Sequence, residues 1–152
     1  MKRHAFLRMG LLAALGLVSC EDRRLAPVAV AHGSMREFRL ALACRHDKLG
    51  GYPETLRDLA TPIGGCPVVA WLGEQQPGDV QRPQPHRAYY DYFYFPLDCD
   101  QQGRPQRFGL MAAGPKTANE CDVCRSFWLD ESGVLRQAPG RAAGPGDEAV
   151  KD

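Results

Sequence analysis

Residues 88 to 97 read Ala-Tyr-Tyr-Asp-Tyr-Phe-Tyr-Phe-Pro-Leu, and few folds accept such a stretch. Aromatic side chains at this density suit a pleated, half-buried strand surface. Alternation places Tyr89, Asp91, Phe93 and Phe95 on one face and Tyr90, Tyr92 and Tyr94 on the other. A second alternating run at 106–112 sets Phe108, Leu110 and Ala112 together. Between the two runs, Asp98 to Pro105 contains Gly103 and reads as a turn. Residues 125–129 and 134–136 flank Asp130-Glu131-Ser132-Gly133, a hairpin in which Gly133 can take positive φ.

Helical signals come earlier in the chain. Ser34-Met35-Arg36-Glu37 matches a capping box, in which the Ser34 hydroxyl accepts the N3 amide and Glu37 reaches back. Phe38, Ala41, Leu42 and Leu49 follow on one stripe, with Leu40 and Cys44 beside it. This predicts a helix over about 35–48, stopped by Gly50-Gly51. A start as early as Pro27 is possible, at the cost of carrying Gly33 inside the helix. A short second helix over 52–59 has Pro53 at its first position and turns Leu56 and Leu59 inward. Residues 73–87 are polar and proline-rich and read as an exposed loop, and no internal repeat is present. The fold class expected is α+β: an amphipathic helix and a short second helix on a three- to four-stranded antiparallel sheet.

The N-terminus carries an address. Lys2, Arg3 and Arg8 precede an apolar run from Met9 to Val18, too short to span a bilayer and typical of an export signal. The run ends in Leu17-Val18-Ser19-Cys20, which resembles the lipobox of bacterial lipoproteins. That resemblance implies a diacylglyceryl group on the Cys20 sulfur and cleavage before it, with residues 1–19 as signal. The alternative is an ordinary cleaved signal with Cys20 in a disulfide. Residues 20–33 then read as a lipidated tether, 34–137 as the folded domain and 138–152 as a disordered tail. The implied partner is a membrane, held through lipidated Cys20. Glu21 after the lipidated residue favours an outer-membrane location facing the periplasm.

Charge narrows the partners. The 152-residue chain has a formal charge of +1, with 24% charged and 44% hydrophobic residues. That balance excludes the polybasic footprint of a nucleic-acid binder and the composition of wholesale disorder. Three of the 19 basic residues precede Cys20, so the mature chain carries 16 against 18 acids, about −2.

Export places Cys44, Cys66, Cys99, Cys121 and Cys124 in an oxidising compartment. Five is odd, so at most two bridges form, in any of fifteen arrangements. The preferred pairings are Cys44–Cys66, and Cys99 with Cys121 or Cys124. Cys121-Asp122-Val123-Cys124 is also a CxxC motif with three readings: structural disulfide, metal ligand or redox pair. It precedes a predicted strand rather than opening a helix, and Glu120 and Asp122 disfavour the thiolate. Zinc would need two further ligands, and Cys99 and His86 are the recruits in the neighbouring segment.

The order of elements carries a second resemblance. A helix leads into Gly51-Tyr52-Pro53-Glu54-Thr55-Leu56, then Tyr90-Asp91-Tyr92-Phe93-Tyr94, Phe108-Gly109-Leu110-Met111-Ala112, and Ser126-Phe127-Trp128-Leu129-Asp130-Glu131-Ser132-Gly133-Val134-Leu135-Arg136. Over about 35–137 this resembles the globular domain of type IV pilin-like proteins, especially type II secretion pseudopilins. The resemblance implies a pilin-like α+β module with secretion or pilus components as protein partners. The lipoprotein signal departs from the long apolar helix by which pilins pack into filaments, so the filament role is not implied. Pseudopilins bind calcium near their C-terminal loop, but no matching acidic cluster is present here.

The remaining candidates are few. Asp98-Cys99-Asp100-Gln101-Gln102-Gly103 starts like a calcium loop but has Gly109 where the bidentate acid belongs, and reads as a hairpin turn. Tyr90, Tyr92 and Tyr94 form a candidate interaction surface, unless the helix covers that face. His32, His46 and His86 are scattered, and Ser34, Ser126 and Ser132 sit in cap, strand and turn, so no catalytic residues, metal or cofactor are expected. The functional expectation is a non-enzymatic, lipid-anchored protein-interaction module; the alternative is an envelope thiol–disulfide or metal-binding protein using Cys121 and Cys124.

Overall fold

The computed structural model describes residues 22–74, 83–114 and 125–151, with side chains from Pro27 onward in the first segment. Helix α1 spans Asp22–Leu49 and two 3-10 turns follow, Leu56–Ala60 and Ala70–Gly73. Six strands complete the fold: β1 His86–Arg87, β2 Tyr90–Cys99, β3 Pro105–Ala113, β4 Arg125–Asp130, β5 Arg136–Pro139 and β6 Glu148–Ala149. They form one antiparallel meander in chain order, so the sheet has six strands rather than three or four.

Helix α1 starts well before the expected cap. Val28 and Ala31 continue the inward stripe of Met35, Phe38 and Leu42 at helical spacing, so packing on the sheet extends the helix ahead of Ser34. Residues 22–33, expected as a tether, are thus helical, and from Val28 on they pack against the core. Pro27 withholds one N–H, from the carbonyl of residue 23 near the helix start, and the ladder resumes beyond it. The Ser34 hydroxyl therefore caps nothing. It is buried in mid-helix facing the Tyr92 hydroxyl, without a close hydrogen bond between them. The C-terminal stop is as expected: Gly50 has φ +74° and donates to His46 O at 2.9 Å. Leu40 and Leu49, placed on or beside the buried stripe from the sequence, are exposed.

The core lies between α1 and one face of the sheet. Register sets Tyr92, Ala112 and Phe127 in one row, and Tyr94, Leu110 and Leu129 in the next. Phe38 meets Tyr92 edge-on at 5.3 Å and packs beside Trp71 at 5.7 Å. The expected second helix is a 3-10 turn, with Leu56 and Leu59 buried as the sequence indicated. The turn stays short because Thr61-Pro62 follows. Val69 N donates to Leu59 O at 3.0 Å and folds the second turn beside the first.

The tail read as disordered from residue 138 contains β6. Arg136 pairs with Ala149, and Val150 N donates to Leu135 O at 2.8 Å. Asp147 organises the intervening loop. Its carboxylate accepts Gly144 N at 2.8 Å and pairs with Arg141, and its carbonyl accepts an Arg136 N–H at 2.9 Å.

Candidate functional site

Cys44 and Cys66 are bridged, with Cα atoms 5.6 Å apart. Helix α1 presents Cys44 on the turn that also points Arg45 and Lys48 at the 61–64 segment. Those two side chains donate to the carbonyls of Thr61 and Gly64. The bridge and the two cations together hold the helix end against the loop after the first 3-10 turn.

Cys99 is an exposed free thiol at the C-terminal end of β2. Cys20, Cys121 and Cys124 lie outside the described residues, but the sheet limits the reach of the last two. The Tyr90 hydroxyl donates to Arg125 O at 2.7 Å, so β4 begins level with the start of β2. Cys99 is nine strand residues away, roughly 30 Å at about 3.4 Å per residue. Cys121 precedes Arg125 by four residues, at most about 14 Å of extended chain. A disulfide needs Cα atoms within about 7 Å. The preferred pairing of Cys99 with Cys121 or Cys124, and the recruitment of Cys99 to a metal at the CxxC motif, would each have to span that distance from residues outside the described ones.

The tyrosine face is core rather than surface. Tyr90 and Tyr92 are fully buried under α1, and Tyr94 is half-buried with its hydroxyl donating to Pro53 O at 2.8 Å. Burial pushes the Tyr92 hydroxyl up to about 12 and raises that of Tyr94 further. Tyr90 and Tyr92 are therefore withdrawn from any surface, while half-buried Tyr94 lines the cavity beside β2. The apolar side chains on display belong to the opposite alternation, Tyr89, Phe95 and Leu97.

A cavity of about 400 Å³ lies along the open edge of β2, lined in part by Thr55, Leu56, Arg57, Pro85, Phe93 and Phe95. It exists because β1 has only two residues. Tyr92 N donates to Pro85 O at 2.8 Å, and among the described residues no strand pairs with the edge beyond. Pro96 lies on that edge and has no N–H to offer an added strand. The sequence signal for this groove was available in the Phe93/Phe95 face and in the prolines at 83 and 85, which read simply as loop.

The calcium-like loop is closed by arginines. Asp100 accepts the Gln102 and Arg104 amides, both at 2.9 Å, and pairs with the Arg104 guanidinium at 2.9 Å. Asp98 pairs with Arg107 at 3.1 Å. The Arg104 amide and side chain beside Asp100 hold its carboxyl below the usual range. Arg104 also donates to Leu49 O at 2.9 Å, locking the β2–β3 hairpin to the end of α1. Among the described residues, no group of three His, Cys, Asp or Glu side chains is placed to hold a metal ion. No described helix is long and apolar enough to cross a membrane.

In comparisons with protein-family models, curated proteins and solved structures, nothing matches the chain. The long N-terminal helix on an antiparallel sheet is loosely consistent with a pilin-like arrangement, and the likeness goes no further than architecture.

Proposed function

We propose that this is a disulfide-braced protein of the bacterial cell envelope, anchored through acylated Cys20, whose chemistry resides in a Cys121/Cys124 thiol–disulfide pair. The observation that carries this reading is the separation of Cys99 from Arg125 along the sheet. With Cys44 joined to Cys66 and Cys99 out of reach, Cys121 and Cys124 have each other. The acidic neighbours Glu120 and Asp122 disfavour thiolates, so the disulfide is the resting form. Reaction with a partner dithiol is then an exchange. A partner thiolate attacks one sulfur and a mixed disulfide forms. The partner's second thiolate displaces it, leaving Cys121 and Cys124 as thiols and the partner oxidised.

Peptide mapping of the oxidised mature protein tests the pairing. The expected outcome is a Cys44–Cys66 bridge, a Cys121–Cys124 bridge and one alkylatable thiol at Cys99. In graded glutathione buffers the CxxC bond opens before the Cys44–Cys66 bond. A Cys99–Cys121 or Cys99–Cys124 peptide defeats the reading.

A second reading is a non-enzymatic contact module, pilin-like in shape, serving secretion or surface machinery from the periplasmic face of the outer membrane. The open groove beside β2 favours it, since an edge with a neighbouring apolar cavity suits an extended segment of a protein partner. Crosslinking in cells from Phe93 tests this. Capture of a secretion or pilus component that is lost in Phe95→Glu supports it; capture that survives the substitution speaks against the groove.

A further inference from the structure

The β1–β2 turn is built from the wrong residues. Arg87 pairs with Tyr90, leaving Ala88 and Tyr89 as a two-residue turn with φ +49° and +70°. That geometry normally selects Asn-Gly, because a Cβ is crowded in the left-handed region. The result is a tyrosine that is 76% exposed at the tip of the hairpin.

Two contacts fix where this tip lies. The His32 ring sits 5.8 Å from Phe127, which is itself 6.3 Å from Tyr90. At the other end of the helix, Leu49 O accepts from Arg104, beside the Cys99 end of the sheet. Helix α1 therefore starts at the end of the molecule that carries Tyr89 and the beginning of β4. Asp22 is two residues from Cys20, so an acylated chain brings this end to the bilayer with almost no spacer.

Two arginines stand exposed beside the tip. They are Arg125 and Arg87, the latter with its guanidinium over Trp71, while in sequence Arg23 and Arg24 are matched by Glu21 and Asp22. Arg141, just beyond the strand partner of Arg125, is balanced by Asp147. At the far end the cations Arg104 and Arg107 are committed to Asp100, Asp98 and Glu131.

We infer that the Tyr89 tip, with Arg87 and Arg125, docks against the anionic lipid headgroups of the membrane that holds Cys20. Tyrosine suits the headgroup level, with its ring against acyl chains and its hydroxyl in water, and the guanidinium groups meet lipid phosphates. This rests on the acylated-Cys20 reading.

The test is hydroxyl-radical footprinting of the full lipidated protein. It is compared in detergent and in phosphatidylcholine discs with and without phosphatidylglycerol, and intact mass reports the state of Cys20. The expected result is several-fold lower oxidation of Tyr89 in discs than in detergent, greatest with phosphatidylglycerol, while Phe95 changes little. Acylated protein in which Tyr89 and Phe95 oxidise alike in discs and detergent overturns the docking surface alone. An unmodified Cys20 sulfur overturns the anchor and the surface together.

Discussion

Ser34 shows how one hydroxyl can be read two ways. As a helix N-cap, its loss costs about 1 kcal/mol. Buried in mid-helix opposite Tyr92 without a close partner, it carries a desolvation cost and a poorer helix propensity than alanine. Ser34→Ala is therefore expected to stabilise the protein by about 0.5–1 kcal/mol in urea unfolding. A loss of similar size would restore the cap and move the helix start. Tyr89 gives a second prediction. Left-handed backbone costs a residue with a side chain roughly 1–2 kcal/mol, so Tyr89→Gly is expected to raise the melting temperature by several degrees. The two strand runs could be read residue by residue from alternation, but not which run's face turns inward. Tyr90, Tyr92 and Tyr94 are the buried set because α1 crosses that side, and a period-two pattern aromatic on both faces does not encode that choice.

At the level of elements, the bridge between α1 and the 61–66 segment is the clearest stabilising device. Cys44 and Cys66 are 22 residues apart, and a loop of that size contributes about 3 kcal/mol by chain-entropy reasoning. Cys44→Ala/Cys66→Ala should lose about that much in denaturant unfolding, with the Arg45 and Lys48 contacts holding the fold in place. The turns respond to acid. Asp100 and Asp147 are held below the usual carboxylate range by donated N–H groups and arginine partners. Burial pushes Asp130 up, but hydrogen bonds from Ser132 and Trp128 outweigh it and leave it low. Depressed carboxyls support the folded state above their unfolded pKa of about 4 and lose that support as pH falls through their folded values. Thermal unfolding should thus be level from about pH 5 upward in this respect and drop below about pH 4. Asp100→Asn should flatten part of that drop. The boundary that glycine set at Gly50 was legible; Gly133 takes the expected positive φ, but β5 begins at Arg136 rather than 134, and boundaries set by packing were illegible. The first three turns of α1 and the two-residue strands β1 and β6 carry too little periodicity to declare themselves.

For the whole molecule, the constraint that matters most is the distance between cysteines. Composition and the expected export allow fifteen pairings; the described residues fix one of them, Cys44–Cys66, and put Cys99 a strand's length from Arg125, the separation on which the proposed Cys121–Cys124 pair rests. That restriction was invisible in the sequence because it depends on β4 running level with β2, which only the ladder shows. The same meander has a temporal consequence. If the chain is threaded N-terminus first through a translocation channel, as the export reading expects, each described strand emerges next to the one it will pair with, and none of them waits for a distant mate. Only the helix waits. Its apolar stripe leaves the pore first and stays uncovered until β2, β3 and β4 have followed, and in that interval a holdase has something to grip.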